Sequence, residues 1–291
     1  MKKVFFSLAL LILAAMRLSA QETSCSLFWN SNRTQQVGEI VSVLDNQYRN
    51  VGHHGPAVEN RYMALRIYFN PSASIDVYNK SGRLQDELGR YRWYPSERQQ
   101  QEEGAGCDEY MVGKTPGLGG IRLWDGTQEI RLEATKGRTA RVGETPKGHF
   151  TEMIAYGVPY KGEKIDVALR IDVRRGRREA VVTARELSGR KVQFLTGVNY
   201  HPGAQLLKEV KGKTGRLGAW GVHPADVSKN PSPIGGGLLY PAACFEAAEQ
   251  TPGLLRIVSK PCAKVRYSVV AASTKEEALN SADKFFAYLL R

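Results

Sequence analysis

Amphipathic helical spacing is almost missing from this chain. Until its last twenty residues no stretch repeats apolar side chains every three and four positions, which excludes a helical bundle and an alternating α/β fold. Long apolar runs are missing as well. The segment 4–15 falls short of the ~20 residues that a helix needs to cross a bilayer, and nothing downstream approaches that length. Cysteine is scarce, with four in 291 residues (Cys25, Cys107, Cys244, Cys262), and no two stand at the close spacing of a zinc site. There is no Gly-x-Ser-x-Gly elbow, and Gly113-Lys114-Thr115 lacks the upstream glycine of a phosphate-binding loop. Membrane insertion and a serine-hydrolase triad therefore drop out as organising features, and neither a cofactor nor a metal is expected.

What is present begins with a leader. Lys2 and Lys3 precede the apolar segment, and Leu18-Ser19-Ala20 offers small residues for cleavage ahead of Gln21, the pattern of a secretory signal peptide over 1–20. The mature chain, 21–291, is then periplasmic or secreted. Glu22-Thr23-Ser24, ahead of Cys25, lacks the apolar position of a lipidation signal. Lys and Arg outnumber Asp and Glu by 41 to 29, a formal charge of +12 that stays at +9 once Lys2, Lys3 and Arg17 leave with the leader. Outside the cytoplasm such a charge points to acidic polysaccharide rather than nucleic acid, or to a solvated basic surface with no partner. Four cysteines in an oxidising compartment invite disulfides. Cys244 and Cys262, each at the margin of an apolar stretch, suit neighbouring antiparallel strands and are the expected pair.

Period-two alternation, by contrast, runs throughout. Residues 62–69 put Met63, Leu65, Ile67 and Phe69 on one face and Tyr62, Ala64, Arg66 and Tyr68 on the other. Residues 74–78 turn Ile75 and Val77 inward and Asp76 and Tyr78 outward. A hairpin across Asn70-Pro71-Ser72-Ala73 thus places Arg66 and Asp76 together on its polar face, where an ordinary cross-strand ion pair is the minimal outcome. Further strands are expected over 130–134, 150–156, 165–173, 180–186, 192–201, 254–258 and 265–271, with another running from Gly235-Gly236-Gly237 toward Cys244. Ile165, Val167, Leu169, Ile171 and Val173 form an apolar face that needs a second layer to cover it. About a dozen strands without a repeat or a composition break make one domain, an all-β, two-sheet antiparallel sandwich. It closes with a helix over 274–290, opened by the capping box Ser273-Thr274-Lys275-Glu276.

Two irregular stretches interrupt the strands. The polar segment 83–103 carries Trp93 and Tyr94 among charges, and an excursion of that length is functional or mobile. Behind it, seven glycines (Gly104, Gly106, Gly113, Gly117, Gly119, Gly120, Gly126) surround Asp108, Glu109, Tyr110, Lys114 and Arg122. That run is either a ligand-facing loop able to fold over the 62–78 hairpin or a structural loop whose glycines serve tight turns.

Three blocks carry a family resemblance. They are Asn60-Arg61-Tyr62-Met63-Ala64-Leu65-Arg66-Ile67-Tyr68 with Ser74-Ile75-Asp76-Val77-Tyr78, then Gly117-Leu118-Gly119-Gly120-Ile121-Arg122-Leu123-Trp124, then Gly197-Val198-Asn199-Tyr200-His201-Pro202-Gly203. In this order they resemble the domain of unknown function 4861 family. The resemblance implies an exported protein of Gram-negative bacteria that digest polysaccharides, and a galactose-mutarotase-like supersandwich fold. Where relatives carry a His-Asp-His-like run, this chain has Gly106-Cys107-Asp108-Glu109-Tyr110, and the sequence does not say whether His53 and His54 take the place of those histidines.

An oligosaccharide ligand needs aromatic platforms and charged forks. Tyr62, Trp93 and Trp124 are candidate platforms. Arg66, Lys114 and Arg122, with Asp76, are candidate polar contacts. For elimination on a uronic-acid sugar, Arg66 would neutralise the carboxylate, and His201 or Tyr68 would take the proton. A mutarotase or epimerase would use Asp108, Glu109 or Glu152 as carboxylate base with His149 or His201 as acid. A non-catalytic glycan-binding protein would present the same face without turnover.

Overall fold

The computed structural model describes residues 22–226 and 230–291. The expected leader lies outside them. Eighteen strands are described, all paired antiparallel within three sheets. The first has the order β1 (Ser24–Ser26), β3 (Ala57–Glu59), β4 (Met63–Ile67), β5 (Ile75–Asn79). The largest runs from β13 (Gln205–Lys211) through β14 (Thr214–Gly221), β15 (Ile234–Pro241), β18 (Lys264–Ser273), β11 (Ala180–Glu186), β10 (Glu163–Arg174), β9 (Gly148–Tyr160) and β8 (Arg138–Thr145) to β2 (Glu39–Ser42). The third orders β16 (Glu249–Thr251), β17 (Leu254–Val258), β12 (Phe194–Asn199), β6 (Arg122–Trp124) and β7 (Glu129–Ile130).

The protein is all-β, and its sandwich differs from two plain sheets in one respect. The nine-stranded sheet forms one layer, while the four- and five-stranded sheets share the other: β3, β4 and β5 pack over β9, β10 and β18, and β12 packs over β14 and β15. A single apolar core, with Leu65, Val77, Leu169, Phe194, Val198 and Val269 among its members, joins all three. The expected apolar face on 165–173 lies in it.

The glycine-rich run seams the split layer. Ile75 N donates to Pro116 O, Leu118 N to Ile75 O, and Gly119 N to Gly197 O, so residues 116–119 join β5 to β12. Two glycines here are required. A Cβ on Gly117 (φ +77°) would stand 1.9 Å from Ile75 O, and one on Gly119 (φ +64°) would stand 2.3 Å from Val269 Cγ1. Residues 116–120 are buried, so this half of the run is structural and does not serve as a mobile cover.

Two expectations need correction. The capping box does not open a helix, because Ser273 completes β18 and Glu276 is drawn away to receive both Nη groups of Arg178. The C-terminal helix is shorter, Ala282–Leu289, with Ser281 as its N-cap, and it seats Phe285 and Leu289 against Trp220 and Val270. The Cys244–Cys262 disulfide is not formed and all four cysteines are free thiols. The two segments do run side by side, but their pairing sets Phe245 against Ser259, with Cys244 O accepting from Lys260 N, while Cys262 bridges to Val192.

Candidate functional site

The site is built on the outer face of the small sheet. Antiparallel register sets Arg66 on β4 directly across from Asp76 on β5, and Ala57 and Ala64, small on the same face, leave space that Trp93, Tyr78 and Leu88 fill. The excursion 80–106 thus lies over this face. A charged network fixes it: Lys80 Nζ lies 2.6 Å from Glu59 Oε2, and Glu59 accepts from Glu87 N and Leu88 N at the start of the short helix Glu87–Tyr91. Tyr78 Oη and Gly106 N both donate to Glu87 Oε2. Burial raises the Glu87 carboxyl above its ordinary range, with Lys80 pulling the other way.

Arg66 is 3% exposed and Asp76 1%. The guanidinium donates to Asp76 Oδ2 through Nε at 2.9 Å and Nη2 at 2.5 Å, to Tyr94 Oη through Nη1 at 3.0 Å, and to Asp108 Oδ2 at 3.3 Å. Its carbon lies 4.2 Å from the Trp93 ring centroid, a cation–π contact in a dry setting. Asp76 also accepts from Tyr68 Oη and Val77 N, both at 2.7 Å. Three donors thus meet Oδ2 and one meets Oδ1.

Asp108 is held differently. Its one hydrogen bond among the described residues is the long contact with Arg66, and burial, followed by the charge of Asp76, raises its pKa to about 7, with Arg66 and the Trp93 side chain opposing. Two carboxylates on one arginine are thus separated by environment, one a fixed anion and the other poised to exchange a proton near neutrality. Asp108 lines a cavity of about 100 Å³ with Trp93, Tyr94, Pro95 and Gln100. Trp93, in the wall of that cavity, turns its buried Nε1 toward the Asp108 carboxylate without reaching full hydrogen-bond geometry.

Further aromatic rings cluster around Tyr94 and Tyr68. His54 stacks on Tyr48 at 4.0 Å between centroids and meets Tyr94 edge-on at 6.3 Å, and Tyr48 meets Tyr68 at 5.0 Å. A carbonyl can only accept, so the 2.8 Å contact from His54 Nδ1 to Tyr48 O places the proton of the neutral ring on Nδ1 and leaves Nε2 with the lone pair. Burial holds the His54 pKa below its ordinary value. Backbone strain gathers here: His53 (φ 56°) and His54 (φ 61°), then Arg92 (φ 51°) and Trp93 (φ 76°), are consecutive left-handed pairs. Non-glycine residues of that kind cost of order 1–3 kcal/mol each and cluster at functional sites.

Of the residues expected from sequence, Arg66, Asp76, Tyr68, Trp93 and Asp108 come together. Tyr68, expected as a base, donates its hydroxyl to Asp76, and burial beside that carboxylate pushes its pKa far up, which stands against that role. Tyr62 is not a sugar platform here, since Arg178 covers its ring at 3.8 Å. Trp124 lies on the five-stranded sheet under Arg256 at 4.9 Å. Arg122 is fully buried and spends its two Nη groups on Ser72 O, Ile121 O, Thr115 O and Ser74 Oγ, which makes it a brace for the 72–74 turn, while its Nε has no partner among the described residues. Glu109 accepts from Ser232 N and Oγ. His201 and Lys114 line a separate cavity with Tyr200 and Pro252, His201 bonding Met111 O and packing on His223. Tyr48, His54 and Tyr94 complete the site; the sequence marks His54 only as half of the His53-His54 pair and Tyr94 only as an aromatic in the excursion, and it does not mark Tyr48. The signal for His54 is the His53-His54 pair between Gly52 and Gly55, two polar rings where the glycines let the chain turn sharply.

No group of three or more His, Cys, Asp or Glu side chains among the described residues is arranged to hold a metal ion. No helix of the described residues is long and apolar enough to cross a membrane.

No curated protein sequence matches the chain. Among solved structures, the 4-alpha-glucanotransferase of Thermococcus litoralis resembles it with a TM-score of 0.34 and 10% identity, over 81% of this chain and 42% of that one. The chain therefore spans less than half the length of that protein. The model of the family described as a domain of unknown function (DUF4861) matches residues 13–291, nearly the whole chain, and the protein belongs to that family.

Proposed function

We propose that this is an exported carbohydrate-active protein that moves protons on a sugar held over Arg66, with Asp108 as the exchanging group. The observation that carries the reading is the Asp108 carboxyl, raised to about 7 and open to a cavity walled by Trp93 and Tyr94. A general acid–base group works best with a pKa near the operating pH. The exposed ring of Tyr94 and the Tyr48–His54 stack suit the apolar face of a pyranose. The cavity is far below the several hundred Å³ of a site that buries a whole ligand, which favours a terminal ring.

The geometry speaks against elimination with Arg66 as the cation for a substrate carboxylate, because that guanidinium already serves Asp76 and Asp108. Reversible ring opening, of the mutarotase or epimerase type, asks only for two proton carriers. His54 Nε2 takes the proton of the anomeric hydroxyl while protonated Asp108 gives one to the ring oxygen. The bond from the anomeric carbon to the ring oxygen breaks, a carbonyl forms, and re-closure on the other face restores both groups. Exchange between anomers of simple aldoses and short oligosaccharides, followed by NMR saturation transfer, tests this. Parent protein should speed the exchange and Asp108→Asn should slow it by ~10²–10⁴-fold. Saccharide binding without faster exchange would make the protein a non-catalytic glycan binder, and no binding at all would reject the reading.

A further inference from the structure

A larger cavity, of about 380 Å³, adjoins the first. Glu97 and Gln100 line both, so the two hollows are neighbours across one shoulder of the excursion. The far hollow differs in character. Its walls carry Ser81, Arg83, Ser232 and Lys275 with Glu109 and no aromatic ring. Lys275 Nζ is steered by Gln100 Oε1 at 2.8 Å and forms an ion pair with Glu109 Oε1 at 3.8 Å, beyond hydrogen-bond distance, so the ammonium keeps donors to spare. Glu109 is meanwhile occupied by Ser232. Arg83 is exposed and enters no ion pair among the described residues. The two hollows thus divide the labour: the first holds a buried arginine shared by two carboxylates, and the second holds two cations, Arg83 unpaired among the described residues and Lys275 with donors left, beside Glu97 and the Ser232-bound Glu109.

We propose that the Arg83–Lys275 hollow is a second sugar subsite that takes a uronic acid residue, its carboxylate bound by Arg83 and Lys275, next to a ring held over Asp108. The inference rests on the saccharide reading of the first cavity and names its substrate class, a short acidic oligosaccharide. Arginine meets a carboxylate with two parallel N–H donors, and a partly enclosed lysine adds a point charge, an arrangement that selects a planar anion over a neutral hydroxymethyl group.

The probes are glucuronosyl-xylose, related uronic-acid disaccharides, and their carboxyl-reduced neutral twins, titrated calorimetrically at low and high salt. Parent protein should prefer the acidic member of a pair by ~10-fold or more at low salt, a preference that shrinks as salt screens the charges. Arg83→Gln together with Lys275→Gln should abolish the preference while leaving the neutral twin's affinity as it was. Arg83→Gln alone, an exposed position, keeps the test open if the double variant folds poorly and should remove most of the preference. Equal affinity of the parent for both twins, or a preference that survives both substitutions, overturns the inference and leaves the first site standing. Failure of every twin to bind the parent rejects both.

Discussion

Arg66 Nη2 lies 2.5 Å from Asp76 Oδ2 and 3.3 Å from Asp108 Oδ2, so one guanidinium nitrogen ties a tightly held carboxylate to a poised one. Removing the arginine would leave Asp76 buried with its strongest partner gone. Breaking a buried pair from one side costs ~3–5 kcal/mol. Arg66→Met should therefore lower stability by about that amount in chemical denaturation. A loss under 1 kcal/mol would mean that water or another cation already compensates Asp76.

Asp108 gives stability a pH dependence of definite sign. The unfolded chain titrates this carboxyl near 3.8 and the folded chain at about 7, so between those values the folded state holds the extra proton. That contribution is whole below the unfolded pKa and is lost as pH rises through 7, at roughly 1.4 kcal/mol for each pH unit over which the states differ. Asp108→Asn keeps the shape without the charge. It should unfold at higher temperature than the parent at pH 8 and gain little at pH 4. An equal gain at both pH values would show that Asp108 is ionised normally in the fold.

Two histidines pull the other way. Burial lowers the pKa of His53 and of His223 to about 3 in the folded chain, against an ordinary 6.5. Each favours folding above 6.5, and that stability is lost as pH falls toward 3. Over the window where Asp108 gains, the histidines lose, and the parent's profile is flattened. His53→Asn, which tolerates the left-handed backbone, and His223→Gln should each reduce the loss measured between pH 6.5 and 4. The same acid loss in both variants as in the parent would assign it to other groups.

Much of this architecture is legible in alternation and little of it in the loops. The pattern over 62–69 and 74–78 is enough to set Arg66 against Asp76, since antiparallel register and a short turn leave no other partner. It does not tell that the polar face will be covered. That depends on Glu59, Lys80 and Glu87, distant in sequence and chemically ordinary until they meet. Tyr62 and Trp124 read as sugar platforms because a sequence shows an aromatic ring without showing which arginine of the same chain covers it. The place of His54, though not its presence, is hidden for another reason: it enters the site through a left-handed backbone that no period predicts. The capping box at Ser273 fails on competition, because a buried Arg178 offers Glu276 two charged donors where the helix start offers one amide.

The glycine-rich run gives the sharpest contrast between freedom and requirement. Gly113 (φ +59°) and Gly119 (φ +64°) share a left-handed backbone, but a Cβ on Gly113 meets nothing within 4 Å while one on Gly119 meets Val269 Cγ1 at 2.3 Å. At Gly113 only the conformation is penalised, by roughly 1–2 kcal/mol. At Gly119 the added methyl must also displace a β-branched core side chain on the facing sheet, and overpacking of that kind adds ~1–3 kcal/mol. A mobile loop would treat the two alike. Alanine at each position, compared by thermal unfolding, should lower the midpoint by several degrees more at Gly119 than at Gly113, at about 2–4 °C per kcal/mol for a domain of this size. Equal shifts would mean that residues 116–119 are not fixed between β5 and β12, and that the run regains its claim to be a cover for the sugar site.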